Sequence, residues 1–190
     1  MPMKIIKIVA IMLVVLFGLG TIAIMVLPSD SHVERSIVIN STPDKIYTAV
    51  DGFVHFKEWS PWVKKDSLTK YEFSGGMSGV GATMKWESKK VGNGTQKTIE
   101  VEKNKRVKSE IEFDDMGIST AEFTLIPDGS STKVIWTLDS KLSGVGKMFG
   151  PFMDKMVGPD YESGLKSLKQ YVESLPTELV QSDSTNNDPD

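Results

Sequence analysis

Three regimes of hydrophobic and polar patterning follow one another along the chain. Ile8 to Leu27 is an unbroken uncharged run, IVAIMLVVLFGLGTIAIMVL. As a helix rising ~1.5 Å per residue it would match the ~30 Å hydrocarbon core of a bilayer, so residues 8–27 are expected to be a retained transmembrane helix. Its exit, Ile24-Met25-Val26-Leu27-Pro28, carries no small-residue cleavage pattern. Lys4 and Lys7 precede the run while Asp30 and Glu34 follow it. The positive-inside rule then puts residues 1–7 in the cytoplasm and the rest on the outer, periplasmic or extracellular, side. Residues 28–31 read as a linker. At the far end, residues 176–190 (PTELVQSDSTNNDPD) are acidic and poor in apolar groups. Such a segment cannot bury enough surface to offset the entropy of ordering it, so a disordered tail is expected.

Between these ends, residues 32–175 read as one α+β domain. His32 to Asn40 (HVERSIVIN) is β-branched and partly alternating, which predicts a first strand. Thr42 then stands as an N-cap with Pro43 at the first helical position, and Ile46, Tyr47 and Val50 form one stripe. Phe53, Phe56 and Trp59 suggest a second short helix, stopped at Ser60-Pro61. About six strands follow. Met84 and Trp86, Ile99 and Val101, Val107, Ile111 and Phe113, Ala121, Phe123 and Leu125, and Val134, Trp136 and Leu138 each alternate with polar residues, the period of an antiparallel sheet with one covered face. Turns are expected at Gly92-Asn93-Gly94, Asn104, Met116-Gly117 and Pro127-Asp128-Gly129. The last element has helical period: Tyr161, Leu165, Leu168, Val172 and Leu175 share a face from about Pro159 onward. The apolar stretch Lys147 to Val157 is expected as a separate turn, broken from that helix at Gly158-Pro159.

Composition removes several function classes. The net charge is −3 and acids alternate with bases, so no basic face is offered to nucleic acid. There is no cysteine, hence no disulfide framework, thiolate nucleophile or Cys-based metal site. The two histidines, His32 and His55, lack carboxylates at ligand spacing, and neither a metal site nor a cofactor is expected. His55 has no strained serine turn to work with and reads as a surface residue beside Phe56. The glycine-rich stretch Gly75 to Gly81 has neither the Lys-Ser/Thr nor the following helix of a phosphate loop, so it reads as a wide turn between strands.

Several patches, in order, resemble a known group. They are Arg35 to Asn40 leading into Thr42-Pro43; Glu58-Trp59-Ser60-Pro61-Trp62; Gly79-Val80-Gly81-Ala82 followed by Trp86; and Val157-Gly158-Pro159-Asp160 followed by Gly164-Leu165. Together they resemble the START-like (SRPBCC) superfamily, specifically its polyketide cyclase/dehydrase and lipid-transport group. The resemblance implies a helix-grip fold: a curved antiparallel sheet of about seven strands around a long C-terminal helix, with a tunnel or cup for an apolar molecule between them.

The aromatic and methionine content fits such a lined cavity, methionine being suited to surfaces that repack around variable ligands. Candidate lining residues are Trp59, Trp62, Met84, Trp86, Ile99, Phe113, Phe123, Trp136, Phe152, Met156 and Tyr161, with Thr98 and Ser109 as further polar groups. Gly164 would remove bulk on the inward side of the last helix. The function expected is membrane-tethered binding of a hydrophobic small molecule or lipid without turnover. A cyclase, dehydratase or hydrolase would need an acid or base inside, and alternation sends Glu87, Glu100, Glu110 and Glu112 to the wet face. Asp160, Tyr161 and Lys97 are the groups left for it. A third expectation is a protein-interaction domain using a groove beside the long helix.

Overall fold

The computed structural model describes residues 3–113 and 117–176, without the side chains of residues 4, 6, 16, 19 and 21–24. Helix α1 spans Met3–Val26. A crossing needs an unbroken apolar helix of about 18 residues or more, and among the described residues no helix is long and apolar enough to cross a membrane. The transmembrane segment expected at 8–27 is corrected by that finding, and the cytoplasmic N-terminus and outer-side location argued from it fall with it. The acidic tail lies outside the described residues except for Pro176, and so does Met116.

Among the described residues seven strands form one sheet: β1 (Asp30–Ile39), β2 (Lys70–Ser74), β3 (Thr83–Ser88), β4 (Gly92–Glu102), β5 (Arg106–Phe113), β6 (Gly117–Asp128) and β7 (Ser131–Lys141). Their order is β1-β7-β6-β5-β4-β3-β2, with every neighbouring pair antiparallel. Consecutive strands from β2 to β7 are hairpin neighbours, as short turn-bounded alternating runs dictate. Asn104 closes the β4–β5 turn in the left-handed region (φ 63°), which asparagine tolerates better than bulkier residues.

The helices cover one face. α2 (Pro43–Val50) has Thr42 in the extended cap conformation and Pro43 in its first turn, although the Thr42 side chain makes no capping hydrogen bond. α3 (Phe56–Trp59) ends where expected. Pro61, however, opens a further turn, α4 (Pro61–Lys65), instead of stopping the chain. Both facts have one cause: the residue before a proline is pushed to extended geometry, and proline itself suits the first helical position. After a 3-10 segment (Gly144–Phe152), α5 runs from Met153 to Ser174 and packs on β1, α2, α3 and α4.

The expected break at Gly158-Pro159 is absent, since α5 passes through both residues. Pro159 cannot donate to the carbonyl four residues earlier. A clamp spans the weak point. Arg35 of β1 donates to Asp154 through Nη1 (2.7 Å) and Nη2 (3.1 Å) and to Glu162 through Nε (2.8 Å). Residues 154, 158 and 162 share one helix face, and a Cβ on Gly158 would run into the Arg35 guanidinium. The glycine therefore lets the guanidinium lie on the helix between its two carboxylates. This pairing holds the Asp154 carboxyl below the usual carboxylate range.

Candidate functional site

The interior has a solid half and a hollow half. In the solid half, Trp136 of β7 lies face to face with Phe123 of β6 (4.6 Å between centroids) and with Tyr161 of α5 (3.8 Å). Trp59 and Trp62 bring ring edges to it, each at 5.7 Å. Alternation in β6 and β7 puts Phe123 opposite Trp136, and Gly164 lets α5 come down onto the stack. A Cβ there would sit 2.8 Å from Trp136 Cζ3 and 3.1 Å from Pro61 Cδ. The Trp59 indole donates to the Ala49 carbonyl at 2.9 Å. What remains open in this half is a void of about 30 Å³, bordered by Trp59, Thr98, Ser109, Phe123 and Trp136.

The hollow half lies toward the β3–β4 turn and the 3-10 segment, which contribute Lys90, Val91, Gly146 and Phe149 to its lining. It holds a cavity of about 530 Å³. Its sheet wall is Tyr71, Met84, Trp86, Gln96, Ile111, Phe113, Ser119, Leu138 and Ser140. Its helical wall is Phe56, Trp62, Phe149, Met153, Met156, Val157 and Tyr161, with Leu142 and Gly146 closing the end. Room for Trp86 is made across the ladder, where a Cβ on Gly94 would come 2.5 Å from Trp86 Cζ2. The cavity is within the ~300–1,000 Å³ range of small-molecule sites and is mostly apolar.

Its polar groups are few and placed. Ser119 and Ser140, opposite one another in the β6–β7 ladder, share a hydrogen bond of 2.8 Å and are both buried. Lys65 and Asp160 form an ion pair at 2.6 Å, with Asp160 the more enclosed partner. Lys90 and Val91 reach the cavity from the β3–β4 turn. That turn is fixed by Ser88, whose Oγ donates to Asp66 Oδ2 (2.6 Å) and accepts from the backbone N–H of Lys90 (3.1 Å) and Val91 (3.0 Å). The Ser88 hydroxyl, with the Leu68 amide, holds the Asp66 carboxyl below the usual range. Burial pushes the Tyr161 phenol far above its ordinary value and raises Tyr71 as well. Both are therefore neutral hydroxyls near neutral pH, able to donate a hydrogen bond but not to act as bases.

Of the residues singled out in the sequence, Trp62, Met84, Trp86, Phe113, Met156 and Tyr161 lie together on the large cavity. Trp59, Phe123 and Trp136 border only the small void, as do Thr98 and Ser109. Gly164 packs on Trp136 and Pro61. Two others point away. Phe152 is 55% exposed, and Ile99 is 39% exposed where Thr98 is buried. A register shift between Thr98 and Glu100 reverses the alternation expected in β4, which is what a bulge does to side-chain phase. His55 accepts or donates a 2.8 Å hydrogen bond with the Tyr171 hydroxyl, away from both spaces. Lys97 is exposed, and Gly75 to Gly81 connect β2 to β3. Sequence reasoning missed Phe56, Tyr71, Ile111, Leu138, Phe149, Met153 and the Ser119–Ser140 pair. The serines had a signal: both occupy inward positions of alternating strands, where a bulky apolar residue would fill the space.

A sheet of seven antiparallel strands closed by one long helix over a mostly apolar cavity defines a helix-grip domain. The chain matches the family model described as polyketide cyclase / dehydrase and lipid transport over residues 30–173, and it belongs to that family. Solved structures agree in fold. A protein from Chromobacterium violaceum is 16% identical with a TM-score of 0.58, covering 75% of this chain and 97% of that one. Ara h 8.0201 is 15% identical with a TM-score of 0.58, covering 77% and 99%. The Aha1 dimer from Colwellia psychrerythraea is 22% identical with a TM-score of 0.51, covering 73% and 96%. A comparison with curated proteins gives no match. At these identities the structural likeness is one of fold alone.

Proposed function

We propose that residues 32–175 bind a hydrophobic small molecule or lipid in the cavity between the sheet and α5, without chemical turnover. The observation that carries this reading is the cavity itself, about 530 Å³ and walled by aromatic, aliphatic and methionine side chains. Interiors normally pack with few voids larger than a water molecule. Holding such a space open forfeits dispersion attraction along its whole lining, and an apolar occupant restores it. Membership of a family described by cyclase, dehydrase and lipid-transport roles is in keeping with ligand binding. Binding is favoured over catalysis because the carboxylate facing the cavity, Asp160, is engaged by Lys65, and the buried Tyr161 stays protonated.

Two measurements on the full chain test this. Native mass spectrometry after gentle purification should show a co-purified apolar mass, and the neutral fluorophore phenylnaphthylamine should bind saturably. Ser140→Leu, which puts a larger side chain into the cavity, should weaken fluorophore binding at least about five-fold. A wild-type chain that carries no adduct and gives no saturable fluorescence would refute the proposal.

A further inference from the structure

Among the described residues four enclosed side-chain polar atoms make no hydrogen bond, Ser60 Oγ, Thr98 Oγ1, Arg106 Nε and Trp136 Nε1, and two of their residues, Thr98 and Trp136, border one void. Trp136 and Thr98 are 3% and 1% exposed. Buried polar groups are almost always paired, because an unpaired donor forfeits the hydrogen bonds it had in water. Both residues border the same void of about 30 Å³. That void shares Phe56, Trp62, Gln96 and Ile111 with the large cavity, so the two spaces are neighbours.

The chemistry of the pair restricts what can satisfy it. An indole N–H only donates, whereas a threonine hydroxyl donates or accepts. Whatever engages both must therefore present an acceptor to Trp136. A space of about 30 Å³ has room for roughly an oxygen and the carbon that bears it, since one water-sized group needs ~10–15 Å³ on this measure. Among the described residues no charged side chain borders the void, so a carboxylate or phosphate there would be a buried charge without a counter-ion. The cationic groups at the cavity, Lys65 and Lys90, border only the larger space.

Resting on the binding role proposed above, we infer that the ligand is an amphiphile bound inner end first: its apolar body fills the large cavity, and a neutral carbonyl or hydroxyl oxygen reaches the Trp136–Thr98 pair. The inner subsite thus selects for a neutral acceptor oxygen and against an anionic head of the same chain length.

Competition on the full chain tests this. Phenylnaphthylamine is displaced by dodecyl alcohol, by methyl decyl ketone and by dodecanoate, at a pH where dodecanoate is ionised. The ketone and the alcohol are expected to displace it at concentrations at least about five-fold below dodecanoate, the scale of one hydrogen bond gained or lost in an enclosed site. In Thr98→Val and in Trp136→Phe that ratio should fall toward one, whatever happens to fluorophore affinity itself. A direct readout accompanies it: the indole N–H resonance of Trp136, assigned by its loss in Trp136→Phe, should move on adding the ketone. Displacement by all three at similar concentrations with a static Trp136 resonance overturns this inference and leaves the binding role standing. Failure of the fluorophore to bind at all refutes both.

Discussion

Replacing either of two tryptophans by alanine should separate the solid half of the interior from the hollow half. Trp136 is covered on both faces, by Phe123 and Tyr161, and meets the edges of Trp59 and Trp62. Trp86 meets the edge of Phe113 at 5.6 Å and lies over Gly94, but part of its surface borders the large cavity. An aromatic side chain buries ~150–250 Å², which at ~25 cal/mol per Å² corresponds to about 4–6 kcal/mol. Trp136→Ala should lose most of that, because it opens a new hole in a packed stack. Trp86→Ala enlarges a space that already exists, so it gives up only the packing on the covered side of the ring, about half. The expected losses are therefore about 4–5 kcal/mol for Trp136→Ala and about 2–3 kcal/mol for Trp86→Ala. Urea denaturation followed by far-UV circular dichroism measures both, with a constant slope showing that only stability has changed. Leucine in place of alanine at each site reads the same order at smaller amplitude if Trp136→Ala does not fold. Losses equal within about 0.5 kcal/mol, or a larger loss at Trp86, would refute the division of the interior drawn here.

Two further predictions concern the frame around the site. Gly158→Ala should destabilise the wild type, because the new methyl displaces Arg35 from Asp154 and Glu162; in an Arg35→Ala background the same change should stabilise by up to about 1 kcal/mol, the helix preference of alanine over glycine. Urea titration of the four chains checks this, and additive effects would dissolve the clamp. Asp66 has a folded-state pKa held below its unfolded value, so its contribution is present above about pH 4 and is lost as the pH falls through the lower folded value. Ser88→Ala removes the first cause of that shift and should therefore flatten the fall of stability below pH 4, an effect read from melting temperatures between about pH 2 and 6.

The elements that could be read directly from the chain are those whose period is set by one neighbour. β6, β7 and the C-terminal half of α5 each bury a regular face, and Leu125, Val134, Leu165 and Leu168 all sit where period two or period 3.6 puts them. Errors arise where a distant residue decides. Where α5 continues through Gly158-Pro159 it is bridged by Arg35, more than 100 positions earlier in the chain, and no local window contains that guanidinium. In β4 the bulge after Thr98 exchanges the faces of Thr98 and Ile99, and a bulge is set by pairing with β5 instead of by β4's own residues. The uncharged run near the N-terminus shows the same limit in another form, since hydropathy marks Ile8 to Leu27 as a span and no helix among the described residues is long and apolar enough to cross a membrane.

Legibility of the site follows the same division. Large inward aromatics are easy to collect from the sequence, but collecting them does not say which touch each other and which face empty space. Trp136 and Trp86 occupy equivalent inward positions in alternating strands, yet one is sandwiched and the other borders the cavity. The small residues carry the missing information. Counting outward from the Asp128–Ser131 turn places Leu125 opposite Val134, Phe123 opposite Trp136, Ala121 opposite Leu138 and Ser119 opposite Ser140. From the Phe123–Trp136 pair outward along this one face, the paired side chains become smaller and then polar. The bulky pairs mark where sheet and helix meet, and the serine pair marks where they stand apart. Hairpin register combined with side-chain size therefore places the cavity at the Ser119–Ser140 end, because two facing hydroxyls cannot fill the space that a Trp–Phe pair fills four residues away.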